Sequence, residues 1–184
     1  MKCPVCKMQD LTPTELEESL IAYNCANCGG DWVRDSQYKE WRAKHGVDLP
    51  EKHVSEREKI QIANVELARL CPDCRRILIK YKVGRDINFT LDRCGGCGGV
   101  WLDKDEWATL KERNLHDNLY DFFTEPWQSE VRREEARKNM EFISKSRFGE
   151  EDYERIKDFK DWLDKHTMRS EILAFLSDTD PFDA

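Results

Sequence analysis

From Ile77 onward apolar residues alternate with others: Ile77, Ile79, Tyr81 and Val83 lead out, and Ile87, Phe89 and Leu91 return, with Gly84-Arg85-Asp86 between them. A period of two interrupted by a glycine-containing break predicts a β-hairpin. A second hairpin is expected before Asn24. Pro13 and the acidic stretch Glu15–Glu18 precede Ser19-Leu20-Ile21-Ala22-Tyr23, so its first strand should be short or irregular. Downstream of each hairpin the period changes to that of a helix. Asp103 or Asp105 can cap a helix with Trp107 and Leu110 on one face, and Asp35 or Ser36 can cap another with Tyr38 and Trp41 on one face. Residues 46–54 read as a linker, and 55–70 as a helix with Ile60, Asn64 and Leu67 on one side.

Beyond Asn114 the chain is charged and helical in pattern. Val131, Met140, Phe142 and Ile143 mark one helix, and Gly149 should break it. Tyr153, Ile156, Phe159, Trp162, Leu163, Ile172, Leu173 and Leu176 then form a stripe at helical spacing. The last residues, SDTDPFDA, read as a frayed acidic tail.

Cysteine spacing places these elements in an architecture. All eight cysteines fall in C-x2-C pairs: Cys3/Cys6, Cys25/Cys28, Cys71/Cys74 and Cys94/Cys97. The pairs repeat as a unit. Cys25, Cys28, Gly29, Gly30 and Trp32 map onto Cys94, Cys97, Gly98, Gly99 and Trp101, each set preceded by a C-x2-C that lies 18 or 19 residues upstream. Zinc takes four tetrahedral ligands, and two intervening residues let one turn place both sulfurs of a pair on one ion. A glycine after the second cysteine permits a positive φ there. Two such knuckles joined by a hairpin make a zinc ribbon.

The expected fold is therefore a small, metal-stabilised α+β chain. It has two four-cysteine zinc ribbons, each followed by a short helix, and an α-helical C-terminal extension. The segments are 1–45 for the first ribbon, 46–70 for the linker and connecting helix, 71–116 for the second ribbon, and 117–184 for the C-terminal region. The expected cofactors are two Zn2+, held by Cys3, Cys6, Cys25 and Cys28 and by Cys71, Cys74, Cys94 and Cys97. Trp101 is expected to cover its own knuckle. Iron in a rubredoxin-like site uses the same ligands, and spacing leaves it open. A thioredoxin-like pair wants one C-x-x-C at a helix start in a βαβ setting, which four matched pairs do not resemble. The glycines of CGGCGG lack the following lysine of a phosphate loop.

Charge narrows the function classes. Of the 184 residues 39% are hydrophobic and 36% charged, for a formal net charge of −7. Residues 117–184 hold the excess, with 18 acidic against 11 basic residues. That balance is poor for non-specific grip on a phosphate backbone. No run approaches the ~20 apolar residues of a membrane span. The first residues carry no apolar signal segment, so an unexported, cytoplasmic protein is expected. His45, His53, His116 and His166 have no ligand spacing to one another. His45 and His116 fall near the ends of the two post-ribbon helices, where a cation is favoured. No nucleophile-and-base set is readable, and a four-thiolate site has no open coordination position. No catalytic residue is nominated, and a non-enzymatic protein is expected.

Over Cys71–Leu110 the chain resembles the transcription-factor-IIB-type zinc-ribbon module of small bacterial proteins. Cys71, Pro72, Cys74, Cys94, Cys97, Gly98, Gly99, Trp101, Leu102, Asp103 and Glu106 carry the resemblance. The first unit matches through Cys3, Pro4, Cys6, Cys25, Cys28, Gly29, Gly30 and Trp32, but has Val33-Arg34 in place of Leu-Asp. The resemblance implies metal binding at all eight cysteines, and it has no counterpart for 117–184. Such ribbons often serve as protein-contact modules, so an adaptor or assembly role with a protein partner is the first expectation. Trp127 and Trp162 could then be anchors. The alternative is nucleic-acid or transcription-complex binding through Arg75, Arg76, Lys80, Lys82, Arg85 and Arg93, with Tyr81 and Phe89 as stacking platforms. A thiol or zinc redox switch is a third reading.

Overall fold

The computed structural model describes residues 1–45, 50–52, 67–84 and 86–179. His53, Arg85, most of the expected linker and most of the expected 55–70 helix lie outside them, as does the end of the acidic tail. The chain divides into two compact units, Met1–Arg132 and Arg133–Ala184.

In the first unit each repeat builds a three-stranded ribbon. The first has β1 (Thr12–Glu17), β2 (Leu20–Asn24) and β3 (Asp31–Val33), followed by α1 (Asp35–His45). The second has β4 (Leu78–Gly84), β5 (Ile87–Cys94) and β6 (Val100–Leu102), followed by α2 (Glu106–Glu112). The third strand of each is the short run after the second knuckle. It pairs with its own hairpin on one side and with the other repeat on the other. β3 and β6 run antiparallel with Asp31 opposite Leu102, Trp32 opposite Trp101 and Val33 opposite Val100. One six-stranded sheet results, in the order β1-β2-β3-β6-β5-β4. A lone ribbon would leave its three-residue strand as an open edge, and the two repeats close each other's edges. Two independent ribbons are thus replaced by one continuous sheet.

The sheet has two occupied faces. On one, Leu20, Ala22, Val33, Val83, Phe89, Leu91, Val100 and Leu102 pack with Tyr38 and Trp41 of α1 and Trp107 and Leu110 of α2. The helix faces read from the sequence are the ones buried. On the other, Trp32, Trp101, Leu11 and Leu78 pack against the cysteines. Ile77 and Ile79 continue the alternation of Tyr81 and Val83 but lie uncovered and exposed, while Leu78 turns to the metal side. β1 carries the expected irregularity as a register shift between Glu15 and Glu17, and its Pro13 sits on the sheet edge.

Two local expectations are corrected. Residues 67–70 are not helical, because Leu70 bridges to Ile77 and the Arg69 guanidinium binds Asp92 at 2.7 Å and Asp103 at 2.8 Å. Asp103 and Asp105 do not cap α2 with their side chains. Asp105 holds a left-handed φ of 70°, and the Glu106 carboxylate instead accepts the Asp103 N–H at 2.8 Å.

Residues after α2 complete this unit rather than begin the extension. Leu115, and Leu119 and Phe122 of α3 (Leu119–Phe122), are buried in the helix-side core. Trp127, near the start of α4 (Glu125–Phe148), donates from Nε1 to the Val83 carbonyl at 2.9 Å. A side chain at Gly84 would strike Val131.

The second unit comprises the rest of α4, α5 (Glu150–Asp164) and α6 (Arg169–Ser177). Gly149, with φ 83°, separates α4 from α5 as its sequence suggests. Lys145 ties that corner together through Glu141, Glu150 and Glu154. No described helix is long and apolar enough to cross a membrane.

Candidate metal centres

Each knuckle is a tight turn closed by a backbone bond back to its first cysteine: Lys7 N to Cys3 O, Gly29 N to Cys25 O, Arg75 N to Cys71 O and Gly98 N to Cys94 O. The residue after the second cysteine is left-handed in all four, with φ of 61° at Lys7, 73° at Gly29, 64° at Arg75 and 75° at Gly98. The geometry that makes glycine fitting at two of these positions is borne by side-chain residues at the other two.

These turns bring the thiols together in two sets. Cys3, Cys6, Cys25 and Cys28 form one and Cys71, Cys74, Cys94 and Cys97 the other, with all sulfurs of a set within 4.8 Å of one another. None of the eight is in a disulfide. In the first set Cys3 and Cys28 are 3.7 Å apart and Cys6 and Cys25 3.8 Å. In the second, Cys71 and Cys97 are 3.5 Å apart and Cys74 and Cys94 3.3 Å. A tetrahedron with Zn–S bonds of about 2.3 Å has edges of about 3.8 Å. The donor set and its spacing therefore fit zinc, and each cluster can hold one ion.

N–H donors face the sulfurs. Cys6 N reaches Cys3 Sγ at 3.2 Å, Cys74 N reaches Cys71 Sγ at 3.3 Å, and Asn27 Nδ2 reaches Cys6 Sγ at 3.1 Å. Burial raises the Cys3 thiol to about 11 and also pushes Cys28, Cys71 and Cys97 up. At Cys25 and Cys94 burial acts the same way, but N–H donors from their own knuckles and neighbouring thiols outweigh it and bring each to about 7. Metal binding must expel whatever protons the thiols still carry.

The two centres are interlocked by the aromatic and charged residues around them. A Cβ on Gly30 would lie 2.3 Å from Cζ2 of Trp101, and a Cβ on Gly99 would lie 2.3 Å from Cζ2 of Trp32. Trp101 therefore packs on the knuckle of the first ribbon, and Trp32 on the knuckle of the second. The exchange extends one residue further, since Gly29 faces Lys104 and Gly98 faces Asp35. Arg34, which breaks the Leu-Asp pattern in the first repeat, binds Asp73 in the second repeat's Cys71–Cys74 knuckle. Its Nε and Nη2 donate to the two carboxylate oxygens at 2.9 and 2.8 Å, and Trp32 Nε1 adds a third bond at 3.0 Å. Asp73 is held below the usual carboxylate range by the Arg34 hydrogen bond.

The basic hairpin is less open than its sequence suggests. Phe89 is buried, Tyr81 packs edge-on against Phe123 at 5.1 Å, Lys80 pairs with Asp92 at 3.0 Å, and Arg93 lies over the Phe123 ring. Arg75, Arg76 and Lys82 are exposed. Trp127 is partly buried against the core, whereas Trp162 is half exposed. His45 and His116, unrelated by spacing, come together with ring centroids 5.9 Å apart, while His166 lies against Trp162 in the second unit. The matching positions of the two histidines near the repeat helices' ends were the signal for that meeting.

A family model described as transcription factor zinc-finger matches the chain twice, over residues 2–44 and 70–113. The chain carries two copies of this zinc ribbon. Both matched stretches end within or just after the ribbon helices, so the residues that complete the helix-side core, Leu115 to Trp127, lie outside them. The chain matches no curated protein and no solved structure.

Proposed function

We propose that this zinc-binding protein is a non-enzymatic adaptor of the cytoplasm, where paired cysteines stay reduced. Its double ribbon is the rigid part, and residues 133–179 carry the surface that meets a protein partner. The observation that supports this reading is the aromatic stripe of α5. Ile156, Phe159 and Trp162 follow one another at three-residue spacing and are all exposed, with the Phe159 and Trp162 rings 5.4 Å apart. Aromatic anchors of this kind dominate binding energy when a partner desolvates them. Trp162→Ala with Phe159→Ala, compared with the unaltered chain in a nuclease-treated affinity pull-down, is the test. Specific proteins lost from the variant support the role, and an unchanged set of captured proteins removes it.

A second reading is nucleic-acid contact through Arg75, Arg76 and Lys82, which lie exposed on and beside one hairpin. It has narrower support, since the aromatic platforms that single strands stack on are taken up by packing. It predicts binding of a single-stranded oligonucleotide that weakens steeply with salt. Absence of binding at low salt ends it.

A further inference from the structure

We propose that Glu17, His45 and His116 form a third metal site, distinct from the cysteine centres, for one divalent ion of the zinc class. The three residues come from the end of β1, the last turn of α1 and the loop after α2. Each presents one ligand atom, and the three atoms lie within 4.8 Å of one another. Two imidazoles and one carboxylate are a donor set suited to borderline first-row ions such as zinc, cobalt and iron. Around zinc, with bonds of about 2.0–2.2 Å, tetrahedral ligand atoms sit about 3.3–3.6 Å apart. His45 is exposed and ends its helix, so a small tilt of its ring can close the remaining gap.

The surroundings are those of a prepared site. His116 is buried, at 3% exposure, and its Nδ1 has no hydrogen-bond partner among the described residues. Trp41 stacks on the His45 ring at 4.5 Å, and Trp107 meets the His116 ring edge-on at 5.6 Å, so both imidazoles are held by an aromatic wall. Trp107 also donates from Nε1 to Glu17 Oε2 at 3.2 Å, fixing the carboxylate in the manner of the outer partners that orient metal ligands. Lys111 Nζ lies 2.9 Å from Glu17 Oε1. The position already attracts a cation, and that cation sits on a flexible, half-exposed stem that an incoming ion can displace. Three protein ligands leave the fourth coordination position to water, unlike the closed thiolate centres. Glu17 and His45 belong to the first repeat and His116 follows the second, so the ion would tie the two together on the helix face.

The test uses the full chain with both cysteine centres loaded with zinc, titrated with further Zn2+ by calorimetry and checked by metal analysis. A third equivalent should bind to the unaltered chain, disappear in His45→Ala and in Glu17→Gln, and tighten in Lys111→Met, while the two thiolate-bound ions stay in place. Because His116 is buried and its variants can fail to fold, its contribution is read in the unaltered chain from its imidazole nitrogen resonances, which should shift with the third equivalent. Saturation at two equivalents, a third equivalent that persists in His45→Ala, or His116 resonances that do not respond would each overturn the site.

Discussion

A single missing carbon separates a fitting residue from a misfit at Gly99. Its backbone φ is ordinary, so what demands glycine is space, since a Cβ would meet the Trp32 ring at 2.3 Å. Gly99→Ala should therefore destabilise the protein by about 1–3 kcal/mol, the usual cost of overpacking a tight contact. Chemical unfolding of the zinc-loaded chain measures it, and a change within error would mean the indole can retreat. Glu106 makes a different demand. Burial, reinforced by Asp103 nearby, raises its carboxyl from 4.5 to about 8 in the folded state. The folded protein then holds a proton that the unfolded chain releases near 4.5, so the contribution of Glu106 to stability is full below that pH and declines as pH rises toward 8. Glu106→Gln keeps an oxygen for the Asp103 N–H and has no proton to lose. Its stability relative to the parent should rise steadily between about pH 5 and 8, as urea midpoints taken at fixed zinc would show. A constant difference would contradict the shift.

At the level of elements, the hairpins and the helices α1 and α2 were legible because their signals are local. Alternation over Tyr81–Leu91, and the Tyr38/Trp41 and Trp107/Leu110 faces, needed no knowledge of the rest of the chain. The pairing of β3 with β6 was not legible, since three residues carry too little pattern to announce a partner far along the chain. The same holds for the exchange of Trp32 and Trp101. Its place after the second knuckle marked Trp101 as cover for a knuckle, but only topology decides which. The expected end of the 55–70 helix failed for a related reason, as Arg69 and Leu70 are captured by tertiary partners that outweigh local propensity. An interlocked pair of ribbons should also lose stability together. Cys97→Ser, which damages only the second centre, should shift and broaden the Trp32 indole resonance and weaken zinc retention at Cys3, Cys6, Cys25 and Cys28. An unperturbed first centre would show the ribbons to be energetically separate.

For the whole molecule, the cysteine repeat pointed to the metal sites but not to where the folded unit stops. Leu115, Leu119 and Phe122 are sparse in sequence and lie past the repeat, yet they are buried in the helix-side core. Loss of one such side chain typically costs about 2–5 kcal/mol. A chain ending at residue 116, which lacks Leu119 and Phe122, should therefore be poorly dispersed by NMR and aggregate even when zinc-loaded, whereas one ending at residue 132 should give a folded spectrum. Equal behaviour of the two would deny the segment its role. The mutual cover of Gly30 by Trp101 and of Gly99 by Trp32 has a further consequence. Each repeat presents both an unfilled notch and the indole that fills the equivalent notch elsewhere, beside a strand edge that pairs antiparallel with its equivalent. In strand edge and indole one repeat is thus complementary to a copy of itself, as a two-fold association requires, although the Arg34–Asp73 pair is not self-matching because Asp103 stands at the position equivalent to Arg34. Residues 67–132 alone should sediment as a homodimer, and a monomer would count against it. The natural chain has the form of such a dimer with its two subunits joined by a peptide tether, so each half can change only in step with the other.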